Sequence, residues 1–259
     1  MFGIHIDNDN DVLDKINKYK KYGCNIFQIF VNTQKDLNYL NINENNFVVH
    51  ISYSINLAQN WNNTSWWIQQ FILEIEKAHT INAKFIVVHT GKQLNLTLKE
   101  SINNMLSSLL YVHDKTKDKY NIKILIETSS GQGSEMLYDL IEFNDFFKKL
   151  PDRFGICLDT CHIFTAGYNI TSKFLENFDK IINIKNIKLV HLNDSKNKLN
   201  SRLDRHENYG YGYINKKNII KIAKYFLELN VPIIIETPDK YLLKDIDLLN
   251  KLSEKIFIE

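Results

Sequence analysis

"FGICLDTCH" occupies residues 154–162, and its two halves ask for different surroundings. The first part is an apolar run suited to a strand buried on both faces, as in a parallel sheet. The run stops at Asp159, and Cys161 and His162 follow at once, so three groups with metal-binding chemistry fall within four residues. Seven other runs have the same apolar character: "FGIHI" (2–6), "NIFQIF" (25–30), "NFVVHI" (46–51), "KFIVVH" (84–89), "IKILIE" (122–127), "IKLVHL" (187–192) and "VPIIIE" (231–236). Between them lie helical patterns, with apolar residues at three- and four-residue steps over 65–81, 96–116 and 134–150. Pro151 stops the last of these. Eight strands alternating with helices in 259 residues predict an α/β fold of the (β/α)8 class, a TIM barrel forming one domain over 1–259. An open doubly wound sheet, the other fold of this kind, typically uses fewer strands.

In such a barrel the site lies at the C-terminal ends of the strands. Reading only those ends collects His50, His89, Glu127, Asp159, His191 and Glu236, with His162 just past the sixth run. The long loop after the seventh run, 193–212, adds Asp204 and His206. Any one histidine at a strand end is more often a hydrogen-bonded structural residue than a ligand. The joint pattern is different, since five of the 8 histidines and four carboxylates converge on one rim. Buried carboxylates need partners, and a metal cation neutralises several at once. Imidazole with carboxylate suits zinc, iron or manganese better than magnesium or calcium. Nine ligands at three or four per ion, with sharing, imply two or three ions. His79 and His113 fall in helical patterns and are read as residues without chemistry. His5, near the end of the first run, is read as a supporting residue, Cys161 as packing beneath the site and Cys157 as core.

Composition sets the remaining bounds. The chain is 44% hydrophobic and 24% charged with net charge +2, so it has no chain-wide basic field. No run of 18 apolar residues occurs, and "MFGIHIDNDN" lacks a signal-peptide pattern. Three cysteines are too few for a disulfide scaffold. An intracellular protein, neither secreted nor membrane-bound, is expected. Asn, Lys and Ile are abundant while Gly and Arg are scarce, as A+T-rich coding would produce. The few arginines include Arg202 and Arg205, and Gly210 and Gly212 lie in the same polar segment. Neither G-x-G-x-x-G after the first strand nor G-x-x-x-x-G-K-[ST] is present, so no nucleotide cofactor is expected.

The segments "HISYSINLA" (50–58), "VVHTGK" (87–92), "IETSSGQGSEM" (126–136), "CLDTCHIFTAGYNI" (157–170), "HLNDSKNKLNSRLDRHENYGYG" (191–212) and "IIIETP" (233–238) resemble the signature blocks of the endonuclease IV family. That resemblance covers nearly the whole chain in order. It implies a trinuclear-zinc AP endonuclease on a TIM barrel, acting in base excision repair. It places His50, His89 and Glu127 on one ion, with Glu127 bridging to a second held by Asp159, His191 and Glu236. A third falls to His162, Asp204 and His206. Three Zn2+ per chain are thus implied, with Mn2+ or Fe2+ as substitutes, and Glu127 also orients the attacking hydroxide. The implied substrate is damaged double-stranded DNA, cut 5′ to an abasic site to leave a 3′-hydroxyl and a 5′-deoxyribose phosphate, by a monomer. Zinc-bound water with a pKa near 7 supplies the nucleophile. DNA contacts are implied at Gln34, Lys35, Tyr53, Arg202 and Arg205. The chain departs from the family at Lys35 and Leu37, where Arg and Trp are usual, and at Ser54, Thr90, Thr128 and Tyr211. Two other readings use the same residues: a divalent-metal sugar isomerase or epimerase, and a non-catalytic metal-containing DNA-binding protein.

Overall fold

A computed structural model describes residues 1–7, 11–32, 46–171 and 173–258. Its elements run β1 (Phe2–Ile6), α1 (Val12–Lys20), β2 (Ile26–Ile29), β3 (Phe47–His50), α2 (Trp66–Thr80), β4 (Phe85–His89), α3 (Leu98–Thr116), β5 (Lys123–Glu127) and α4 (Leu140–Phe147). They continue β6 (Phe154–Asp159), α5 (Thr160–Ala166), α6 (Phe174–Ile181), β7 (Ile187–His191), β8 (Asp194–Ser195), β9 (His206–Glu207), α7 (Lys216–Glu228), β10 (Ile233–Ile235) and α8 (Leu242–Ile258). Eight of the strands are parallel and close into a barrel in the order β1-β2-β3-β4-β5-β6-β7-β10. All eight apolar runs are therefore barrel strands, and the expected fold class is the one observed. β8 and β9 form a separate antiparallel pair at the mouth, and the segment between them carries Asp204.

Two apolar layers hold this frame. The larger packs the outer faces of the strands against the helices. The smaller fills the lower barrel with Ile26, Val48, Val87, Leu125, Cys157, Leu189 and Ile234, closed below by Met1 and Phe85. Side chains alternate across a strand, so the residue two further on shares the same inward face. Adding two to each gives Gln28, His50, His89, Glu127, Asp159, His191 and Glu236. β1 follows the same rule, with Gly3 low and His5 above it. A Cβ at Gly3 would lie 1.6 Å from the Ile26 carbonyl oxygen, so only glycine fits there. Every barrel strand thus ends in one inward polar residue.

One expected element begins later than its pattern suggested. Residues 134–139 lie outside any helix, and α4 starts at Leu140. The Glu135 carboxylate is drawn into the preceding loop, where it accepts from Ser129 Oγ (3.2 Å), Ser130 Oγ (3.0 Å) and the Gln132 amide (3.0 Å). Leu137 takes a left-handed φ of 58°. Asp139 then caps the helix, accepting from the Ile141 and Glu142 amides. α3 begins at a complete capping box, Thr97 with Glu100. No helix among the described residues is long and apolar enough to cross a membrane.

Candidate metal centre

The strand ends bring Glu127 to the middle of the mouth. Its Oε2 lies 3.3 Å from both His50 Nε2 and His89 Nε2, and its Oε1 lies 2.8 Å from His191 Nδ1. Glu236 Oε2 approaches the same His191 nitrogen at 3.2 Å, and Asp159 Oδ2 lies 3.9 Å from it. On the far side of Asp159, Asp204 sits between two rings, 3.1 Å from His162 Nε2 and 3.2 Å from His206 Nε2. All nine expected residues, six from strand ends with His162, Asp204 and His206 from beyond them, therefore meet at one mouth. Their ligand atoms fall into three clusters, each within 4.8 Å: His50 with His89 and Glu127; Glu127 with Asp159, His191 and Glu236; His162 with Asp204 and His206.

The histidines are held from behind, which tests whether a cation fits. Nδ1–H of His50 donates to the Ile51 carbonyl (2.8 Å), that of His162 to the Thr128 carbonyl (2.8 Å) and that of His206 to the Glu236 carbonyl (3.2 Å). In each neutral ring the inward Nε2 is then a bare lone pair. The Nε2 atoms of His89, His162 and His206 are buried and have no hydrogen-bond partner. Bare ring nitrogens facing carboxylate oxygens repel unless a proton or a metal cation lies between them. The donor set fits divalent zinc, iron or manganese.

Electrostatics carry the same message. Burial alone would raise the Glu127 carboxyl, but the His89 and His191 rings outweigh it and hold it well below the usual carboxylate range. Burial likewise opposes His191 and His206 at Glu236, and the rings prevail, bringing that group to about 2. Asp159 behaves oppositely. It is fully buried, and burial raises it despite the nearby His162 and His206 rings, with Glu127 and Glu236 adding to the rise. Burial lowers His206 but Asp159 and Asp204 outweigh it, so that ring rises to about 9. Burial lowers His89 to about 4 despite the Glu127 carboxylate beside it, so the rings of the mouth do not all shift the same way. Two thiols also lie within reach, Cys157 beside Glu127 and His191 and Cys161 beside Asp159 and His206, and burial pushes both up to about 12. Cys157 belongs to the lower barrel layer, and Cys161 is buried with its Sγ 3.7 Å from the Arg205 carbonyl. His79 and His113 lie on α2 and α3, away from the mouth.

Residues around the cluster were not all anticipated. Asn193 donates to Asp159 Oδ2 (2.7 Å) and accepts from the Glu236 amide (3.0 Å). Thr128 Oγ1 accepts from the Asp159 amide at 3.0 Å, so this departure from the family pattern supports the site. Asp194 accepts four backbone N–H groups, from Ser195, Gly210, Gly212 and Ile214, and folds the segment after β9 beneath the mouth. A Cβ on Gly212 would stand 2.3 Å from the Ser195 carbonyl oxygen, which accounts for glycine there. Gln28, discussed below, was missed too. The readable signal for it was a lone polar residue inside an apolar run, "IFQIF".

The expected DNA contacts are spread more widely. Gln34 and Lys35, like Leu37, lie outside the described residues. Tyr53 stands on the lip, 69% exposed, with its ring 5.2 Å from that of His50 and 5.6 Å from that of His89. It separates two cavities of about 250 Å3 each, one reaching His89, Lys92, Gln132 and Asp204, the other His5, His206 and Glu236. Arg205 is exposed and donates to Gln132 Oε1 at 3.1 Å. Arg202 is half-buried, at a left-handed φ of 53°, with its guanidinium 3.6 Å over the Tyr138 ring. That stack ties the Asp204 segment to the loop before α4.

Residues 16–252 match the xylose isomerase-like TIM barrel family. A protein named probable endonuclease 4 from Mycoplasmopsis agalactiae is 37% identical over 200 residues, 76% of this chain and 70% of that one. The chain belongs to the endonuclease IV family. The fold alone would not have separated that family from its neighbours. Endonuclease IV from Thermus thermophilus superposes with a TM-score of 0.77 at 21% identity, covering 99% of this chain and 98% of that one. A D-tagatose 3-epimerase-like protein gives 0.78 at 21% identity over the same shares. Membership in the endonuclease IV family therefore rests on sequence similarity spread along the chain.

Proposed function

We propose that this protein is a single-domain, zinc-dependent AP endonuclease that cuts double-stranded DNA 5′ to abasic sites, leaving a 3′-hydroxyl and a 5′-deoxyribose phosphate. The observation that carries this reading is the ring of nine inward side chains whose bare imidazole nitrogens face carboxylates. His50, His89 and Glu127 would hold one zinc; Glu127, Asp159, His191 and Glu236 a second; His162, Asp204 and His206 a third. Bound zinc supplies positive charge for a phosphate and a water acidic enough to ionise near neutral pH. The protein's own part is orientation. Glu127, kept ionised at the centre, accepts a hydrogen bond from the attacking water and aims it. Tyr53, on the lip between two cavities, fills the gap left by a missing base. Arg205, exposed beside that lip, is better placed to meet a phosphate than Arg202, whose guanidinium face lies on Tyr138.

A labelled duplex with one abasic analogue tests this directly. Incision should occur at the lesion, vanish with chelator and return with zinc. Intact duplex should stay uncut. Epimerase turnover of a ketose without incision would move the reading to the other branch of this fold.

A further inference from the structure

The four inward histidines with an engaged outer nitrogen are not held alike. His50, His162 and His206 donate to backbone carbonyls, which no substitution removes. His191 is turned the other way, with Nδ1 inward, and its outer Nε2 meets a side chain, Gln28 Oε1, at 2.8 Å. Gln28 is fully buried in β2. Its amide nitrogen lies 2.7 Å from Glu236 Oε1 and 3.0 Å from His5 Nδ1.

Donor and acceptor counting settles the protons. A carboxylate accepts and cannot donate, so the amide nitrogen, not the oxygen, must face Glu236. Its second N–H goes to His5, whose Nδ1 is therefore bare. The amide oxygen is left for His191, so His191 Nε2 must carry hydrogen. Nδ1 is then the atom offered to the Glu127, Asp159 and Glu236 carboxylates. One buried amide sets the tautomer of His191 and the rotamer of Glu236 together.

We propose that Gln28 is the positioning residue of the Glu127–Asp159–His191–Glu236 cluster, and that this cluster depends on a side chain in a way that its two neighbours do not. The proposal rests on reading the cluster as a metal site. Partners behind metal-bound histidines typically contribute 10–100-fold to metal affinity. Gln28→Met keeps the volume and removes the side-chain amide's donors and its carbonyl acceptor.

The test is metal retention, measured by elemental analysis during a chelator series on purified Gln28→Met and wild type, with unfolding of both chelated proteins as a fold control. One ion per chain should leave at roughly 10–100-fold lower chelator concentration, with the others unmoved. Gln28→Met holding all ions as wild type does would overturn the proposal. Should the variant fail to fold, the wild-type protein still decides. Nitrogen-15 spectra of its imidazoles should show His191 protonated on Nε2, and protonation on Nδ1 alone refutes the assignment. Wild type that binds no metal would instead sink the metal reading, while the same spectra judge the tautomer.

Discussion

The barrel crosses two layers that share their strands and their inward face yet differ in chemistry. The lower holds Ile26, Val48, Val87, Leu125, Cys157, Leu189 and Ile234. The upper, two residues along, holds Gln28, His50, His89, Glu127, Asp159, His191 and Glu236. Burial is nearly complete in the lower layer, while in the upper His89 and Glu236 keep 30% and 13% of their side chains exposed. In the lower layer burial is itself the stabilising term. In the upper it opposes ionisation of Glu127, Asp159 and Glu236, and the facing imidazole rings act against it together with hydrogen bonds from Gln28 and Asn193. The lower layer is thus built for stability and the upper for function, a division that substitutions on a single strand can break.

The largest effect expected is at Glu127, the top of β5. Glu127→Gln should lower incision by on the order of 10³-fold, the scale seen when one preorganised electrostatic group is lost. Elemental analysis should show fewer ions per chain. Activity near wild type would mean that the upper layer is structural. Two residues down, Leu125→Ala should do the opposite. It should cost about 3 kcal/mol in urea unfolding, through lost burial and a residual cavity. Metal content and incision per folded molecule should not change. A loss of metal in Leu125→Ala would show that the layers are coupled rather than separable.

The sequence made much of this division readable, for a physical reason. Parallel strands buried on both faces must be continuously apolar, so all eight stood out, and a charged residue closing such a run has few innocent explanations. Glu127, Asp159 and Glu236 were found that way. Amides carry no such signal. Asn193 is hidden in a chain rich in Asn, and Gln28, though it stands out inside an apolar run, gains its importance only from the face of the closed barrel it occupies. The late start of α4 was hidden because Glu135 fits the helical period equally well, and only the loop hydroxyls reveal its other use. The loop carrying Gln34 and Lys35 lies outside the described residues.

Asp194 supports the mouth from outside both layers. Asp194→Asn replaces an acceptor oxygen by an NH2 group, leaving two of its four backbone donors unpaired. A loss of about 2 kcal/mol follows if they stay buried. The ion of the His162–Asp204–His206 cluster should also leave faster in chelator, because the β8–β9 pair anchors that segment. Unfolding and metal release both at wild-type values would show that the four N–H bonds are dispensable.

Glu74 gives the smallest effect and the sharpest control, because it is a buried carboxylate that belongs to none of the ligand clusters among the described residues. It sits on α2 behind the mouth, accepting from the Ser52 amide (3.1 Å) and from Gln70 Nε2 (2.8 Å). Burial raises its pKa, and the hydrogen bonds from Gln70 and Ser52 only partly oppose this. A carboxyl raised in the folded state favours folding while protonated, fully so below its unfolded value of 4.5, and loses that contribution as pH rises through the folded value. Ionised Glu74 is therefore a net cost at neutral pH. Glu74→Gln does not titrate, and a flip of the Gln70 amide lets it keep both hydrogen bonds. The variant should match wild type at pH 4 and exceed it at pH 7, by no more than roughly 2–4 °C in Tm. Incision should be unaffected. The reverse sign, with Glu74→Gln less stable at pH 7 than at pH 4 relative to wild type, would mean that burial does not dominate at Glu74. The contrast between carboxylates that wait for a cation and those that do not would then lose its basis.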